Sequence, residues 1–337
     1  MEKHEAYIEG AKKLLLESLK VDSKNKVVIS STARKLDITK YFYEAAKRIK
    51  RTDFCCIIIP NEFRPMDNVP SLLIDIVKNA DAFLHIIDRM ASEDYAFFRP
   101  LREHCIQNKV PFIFLYDTKL SYLAEGINAD YNIVDQKTDK IKDVLEKSSL
   151  IKVTSTQGTS LSFELYKKII TRSPYFKENQ YWIQSPEGEV MTCPIENSFN
   201  GNLVINETVT IIGKPKKPIT FQFEKGKIIR VDGDKSDLQL LLEALKSSDP
   251  NVKLFEGMYI AEFALGTNDW AKIDDNISNC EKVSGTVHFG IGQTVAGIGI
   301  ERGEKFHFDV LNKDLTVDVE IESGESIRLV ESGKLLI

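Results

Sequence analysis

One feature limits what this chain can fold into more than any other: an alternation of short apolar runs with helical stretches. KVVIS at 26–30, DFCCIIIP at 53–60, DAFLHIID at 81–88 and PFIFLYD at 111–117 are the apolar runs. Between them, residues 37–51, 70–80 and 92–108 carry helical periodicity, the last despite Pro100. Apolar runs this short, bounded by polar residues, read as strands buried on both faces. Strands that alternate with helices build a parallel sheet covered on both sides. A further helix, about 137–148, closes this half of the chain.

From LIKVTSTQGTSLSFELY, 150–166, the texture changes to strand-like alternation, as in GNLVINETVTIIG, ITFQFEKGKIIRVDG and LTVDVEIES. One helix interrupts it, SDLQLLLEALKSS at 236–248, with Ser236 or Asp237 as its expected N-cap. The expected architecture is an α/β Rossmann-like domain over 1–150 with a mostly parallel sheet, then an α+β domain over 151–337 with a mainly antiparallel sheet. The first strand is not followed by GxGxxG, and GxxxxGK[ST] does not occur, so the parallel sheet alone does not imply a nucleotide.

Composition narrows the function classes. Hydrophobic residues make up 42% and charged residues 28%, and the net charge is −5 with signs interspersed. That balance does not suit nucleic acid or an anionic membrane as the main partner. No apolar run approaches the roughly 20 residues of a membrane span. The N-terminal EKHEAYIEGAKKLLLESLK reads as an amphipathic surface helix, not a signal peptide. Cys55, Cys56, Cys105, Cys193 and Cys280 are odd in number and show no CxxC spacing, so neither a disulfide framework nor a cysteine zinc site is expected. Cys55 and Cys56 lie in a buried-strand pattern as small hydrophobes, and a reducing, cytoplasmic setting follows.

Five histidines are available. His4 and His104 read as surface residues of charged helices, and His85, inside FLHII, as a hydrogen-bonded core histidine. His288 stands in SGTVHFGIGQ, where glycines let other backbone approach closely. It is either a metal ligand or a strand residue near a turn. In EKFHFDV, 304–310, period-2 geometry puts His307 and Asp309 on one strand face. Taken alone, that pair is an ordinary polar face; with partners, it is a ligand pair for zinc, cobalt or manganese. Glu189 follows the turn in SPEGEV, and Glu262 is the one charge in the apolar run MYIAEFALG. A buried carboxylate needs a cation, so Glu262 faces either a cation or solvent. Glu189, Glu262, Asp309, His288 and His307 together make a set of the size that two divalent ions about 3.5–4 Å apart require.

GEVMTCPIENSFNGNLVI, IAEFALGTN, GTVHFGIG and HFD occur in that order, after SLIKVTSTQGTSLSFEL. Together they resemble the segments of the M29 metallo-aminopeptidases, the aminopeptidase T/S group, across the whole second half. The first half resembles them in architecture only. The resemblance implies a homodimeric hydrolase that removes N-terminal residues from short peptides or cleaves small amides. It implies two divalent ions (Zn, Co, Mn or Mg) on Glu189, Glu262, His288, His307 and Asp309, with Glu262 bridging them or serving near the general base. Glu281 is the nearest match to a further acidic residue implicated in that family. The chain departs from the pattern in two places. No tyrosine follows the GTVH segment, where Gln293 and Thr294 are the available hydrogen-bonding side chains, and Val310 stands where the family usually has glycine. The 2,5-dihydroxypyridine ring-cleaving dioxygenases, which resemble the same family, are the second reading. They hold one iron(II), have histidine at the position of Glu262, and have an apolar residue at that of Glu189. A specialised amidase and a non-catalytic relative that binds metal or a partner are further alternatives.

Overall fold

The computed structural model describes residues 2–49, 53–88, 93–294, 297–301 and 303–337. Residues 50, 51 and 92 of the expected helices lie outside these. The chain forms two compact units, Met1–Asn132 with Ser173–Glu187, and Ile133–Arg172 with Gly188–Ile337.

The first unit begins with α1 (Glu2–Lys13), which runs on through a π-helical turn at Leu14–Ser18. The alternation then appears as β1 (Val27–Thr32), α2 (Leu36–Arg48), β2 (Phe54–Ile59), α3 (Ser71–Val77), β3 (Ala82–Ile87), α4 (Arg99–Gln107) and β4 (Phe112–Tyr116). Pro100 does not break a helix. It sits in the first turn of α4, where its missing N–H is not needed. After α5 (Tyr131–Glu146), β5 (Ser148–Thr154), β6 (Ser160–Phe163) and β7 (Ile170–Arg172), the chain returns to this unit to lay down β8 (Trp182–Gln184). The sheet order is β2-β1-β3-β4-β8, parallel throughout. Both faces are buried: Ile29, Leu84 and Ile113 belong to one apolar cluster, and their neighbours Val28, Phe83 and Phe112 to the other.

Two expectations change here. Cys55 and Cys56 are exposed, because β2 is the edge strand and pairs only with β1. The units also do not divide near residue 150. Helix α5 falls almost wholly in the second unit, and 173–187 crosses back to supply the fifth parallel strand.

The second unit continues with β9 (Glu189–Thr192), β10 (Asn200–Ile205), β11 (Thr208–Val209), β12 (Ile219–Glu224), β13 (Lys227–Asp232), α6 (Lys235–Ser248), β14 (Ile260–Gly266), α7 (Ile277–Cys280), β15 (Val287–Gly292), β16 (His307–Asn312), β17 (Thr316–Ile321), β18 (Ser326–Glu331) and β19 (Lys334–Leu335). They make an eight-stranded sheet, β13-β12-β10-β6-β5-β17-β18-β19, and a six-stranded sheet, β11-β16-β15-β14-β9-β7. The two sheets share a core. Phe163 of the first meets Phe263 of the second edge-to-face, with ring centroids 5.2 Å apart. Helix α6 is capped by Asp234, not by Ser236 or Asp237: its carboxylate accepts from the N–H of both. The Asp237 carboxylate accepts instead from the Lys216 N–H at 2.7 Å. No helix among the described residues is long and apolar enough to cross a membrane.

Candidate metal centre

The six-stranded sheet buries one face in the core and gathers polar side chains on the other. Strand β15 lies in the middle. Its Val287, Phe289 and Ile291 enter the core, so His288, Gly290 and Gly292 face the other way. Register then fixes the neighbours. Gly290 pairs with Glu262 on β14 and Asp309 on β16, and Gly292 pairs with His307. Glu189 on β9 lies opposite Gly266 of β14.

Glu262 reaches this face through a β-bulge. Ile260 pairs with Ile291, but the next partners are Glu262 and Gly290, leaving Ala261 as the extra residue. Regular pairing would place Glu262 opposite Phe289, against the core. The inserted residue shifts the phase, so Ile260 and Phe263 are both core residues while Glu262 points away from it.

Gly290 makes room at the centre. A Cβ there would lie 2.4 Å from His307 Cε1 and 2.8 Å from Glu262 Cβ. Gly266 does the same for the segment after α7, since a Cβ would lie 2.1 Å from the Val283 carbonyl oxygen and 2.7 Å from that of Glu281. That segment is tied to β14 by Asn268, whose N–H donates to the Lys282 carbonyl and whose own carbonyl accepts from Ser284. It carries Glu281 and Lys282 to the polar face.

The donors fall into two groups. Glu189, Glu281 and His288 form one, and Glu262, His307 and Asp309 the other; within each, one ligand atom per residue lies within 4.8 Å of the others. Glu262 links the groups: its Oε1 is 3.2 Å from His288 Nε2 and its Oε2 is 3.5 Å from His307 Nε2. His307 Nε2 is also 2.9 Å from Asp309 Oδ1. The other nitrogen of His307 donates to the Gln293 carbonyl at 2.6 Å, which fixes the ring and leaves Nε2 for a ligand. The Asp309 N–H donates to Thr210 Oγ1 at 2.9 Å. His288 Nδ1 is buried without a hydrogen-bond partner among the described residues.

Electrostatics show what the face lacks. Burial disfavours imidazolium at His288, yet the hydrogen bond to Glu262 and the charges of Glu281 and Glu189 push its pKa up to about 9. His307 likewise rises to about 10, because Asp309 and Glu262 outweigh burial. Burial and the charges of Asp309 and Glu189 raise Glu281 to about 8, against Lys282 and His288. Burial works against ionisation of Glu189 and Asp309 too, but Lys282 holds the first below its ordinary range and His307 holds the second. Glu189, Glu262, Glu281 and Asp309 thus draw protons onto the imidazoles for want of positive charge. A divalent cation supplies that charge and accepts neutral imidazole. The donor chemistry, the glycine-lined space and the orphaned nitrogen of His288 all fit a metal ion.

Every candidate ligand named from the sequence is therefore on this face. The remaining histidines are elsewhere. His4 Nδ1 is 3.3 Å from the Tyr41 hydroxyl, and His104 bonds Asn108. His85 is fully buried, 2.6 Å from Ser30 Oγ. Lys282 was not foreseen, since a lysine beside a glutamate carries no sign of burial. Gln293 contributes its carbonyl rather than its side chain. Thr294 Oγ1 bonds the Ile300 carbonyl.

A family described as 2,5-dihydroxypyridine 5,6-dioxygenase matches residues 12–320. The chain belongs to that dioxygenase family. Two solved structures share its fold. One is a 2,5-dihydroxypyridine dioxygenase from Pseudomonas putida KT2440, 18% identical, with TM-score 0.72 over 98% of this chain and 96% of that one. The other is AmpT from Thermus thermophilus, 15% identical, with TM-score 0.69 over 99% of both. No curated protein sequence matches. The resemblance to M29 aminopeptidases thus holds for the fold, while membership lies with the dioxygenase family. Within that family this chain carries a glutamate, Glu262, beside its His307–Asp309 pair.

Proposed function

We propose that this chain is a metal-dependent hydrolase of a small amide or peptide, working on the dioxygenase-family scaffold. The observation that carries this reading is the donor set: the two histidines fall in different groups, and each group has two carboxylates to one imidazole. Non-haem iron oxygenases use two histidines and one carboxylate around one ion, whereas carboxylate-rich sets suit ions that activate water. Glu262, His307 and Asp309 would hold a divalent ion, Zn, Co, Mn or Mg, which supplies an acidified water and a Lewis acid. His307 is kept in place by the Gln293 carbonyl. Glu281, on the same face, would take a proton in its carboxylate form from the attacking water and return it to the leaving amine.

The second reading is ring cleavage by iron(II) and oxygen, supported by the family match over 12–320. The two are separated by assaying purified protein on aminoacyl p-nitroanilides with each divalent ion, and on 2,5-dihydroxypyridine with iron(II) in an oxygen electrode. Chelator-sensitive p-nitroaniline release that falls at least about 100-fold in Glu262→Gln supports hydrolysis. Oxygen uptake with no amide cleavage replaces it with the second reading.

A further inference from the structure

The two ligand groups differ in one respect: only one of them already contains a cation. Lys282 is buried, with 6% of its side chain exposed. Its Nζ donates to Glu189 Oε2 and lies 3.6 Å from Glu281 Oε2. Its backbone is held as well, since the carbonyl accepts from the Asn268 N–H at 2.8 Å. An ammonium on a tethered chain is therefore built between two of the three donors of the group Glu189, Glu281 and His288.

We infer that Lys282 is a built-in replacement for the second divalent ion, so that this chain binds one ion per molecule, at Glu262, His307 and Asp309. A second ion at Glu189 and Glu281 would have to expel a buried, paired ammonium, and two positive centres sharing those carboxylates would repel. No comparable cation is placed in the Glu262 group. There His307 and Asp309 meet Glu262 with no lysine or arginine bridging them among the ion pairs of the described residues. The covalent cation has a functional consequence. It cannot be chelated, so Glu189 and Glu281 keep a positive partner at any metal concentration.

This inference rests on the metal site of the proposed function but not on hydrolysis. It is tested by counting ions. Purified protein is saturated with zinc or cobalt, dialysed and measured by elemental analysis, with cobalt spectra as a second readout. One ion per wild-type chain is expected, rising to two in Lys282→Met, while Lys282→Arg stays at one. Should Lys282→Met fold poorly by circular dichroism, Lys282→Gln serves the same purpose. Two ions in the wild type, or one in both the methionine and glutamine variants when folded, overturns the inference. An ion count of zero in the wild type defeats the metal reading itself. Oxygen uptake in place of amide cleavage defeats only the hydrolytic reading and leaves the count to stand.

Discussion

Single residues decide whether the polar face can hold an ion at all. A methyl group on Gly290 would meet the His307 ring and the stem of Glu262. Gly290→Ala should therefore retain its fold but weaken zinc or cobalt binding by roughly 10- to 100-fold in competition with a chromophoric chelator. Unchanged affinity would mean that the glycine is not needed for ligand approach. Glu262→His is the complementary change. It gives the Glu262 group two imidazoles and one carboxylate, and selectivity should move toward iron(II), read as a higher ratio of iron to zinc retained after dialysis of an equimolar mixture. Glu262, His288 and the His307–Asp309 pair stand out in the sequence by their settings: a charge in an apolar run, a histidine among glycines, a period-2 pair; Glu281 has no such setting and entered only as a match to the M29 segments. Lys282 was not legible, because its burial depends on Gly266 admitting the 281–286 segment over β14, a close approach that leaves no mark on the lysine itself.

At the scale of elements, β14 shows how a strand can serve two masters. IAEFALG puts Ile260 and Phe263 in the core although only two residues separate them, which a regular strand cannot do. The broken period in IAEF was the sequence trace of the bulge. Deleting Ala261 would remove the bulge and leave Ile260, Glu262 and Phe263 in regular alternation, with Glu262 still opposite Gly290 and Phe263 still opposite Phe289. That variant should keep its fold in urea unfolding, with a loss below about 2 kcal/mol; a loss of several kcal/mol, as a carboxylate forced into the core would give, would argue against the assigned phase. The cap of α6 is a smaller lever, and Asp234→Ala should lower the thermal unfolding midpoint slightly while leaving ion binding unchanged. Strand positions within the first sheet followed from periodicity, but their order did not. An apolar run reads alike at the centre or the edge, so the exposure of Cys55 and Cys56 could only come from the pairing. The three-residue β8 was too short to announce itself.

For the whole molecule, the two units should respond to different variables. Binding of an ion to Glu262, His307 and Asp309 stabilises the unit that contains them. Hydrogen exchange with and without zinc should therefore show its gain in protection within 133–172 and 188–337. The other unit carries an acid-sensitive element. Burial, with a lesser contribution from the Arg64 charge, lowers the His85 pKa to about 3 despite its bond to Ser30. Below the ordinary histidine value near 6.5, the unfolded chain takes up a proton that the folded one refuses, so stability is full above that pH and is lost as pH falls toward 3. By pH 5 the loss should be about 2 kcal/mol, read as the difference between wild type and His85→Phe in urea unfolding at pH 7.5 and 5. Equal pH dependence in the two proteins would remove His85 from the account. The passage of 173–187 back into the first unit has a practical result as well. No single cut yields both units whole. Expressed alone, 1–132 would leave the far side of β4 as a bare parallel edge, open to another chain, because the strand that covers it is encoded after β7. Soluble production of the first unit calls for a graft that joins 173–187 to the end of 1–132, and such a chimera should stay monomeric where the plain truncation aggregates.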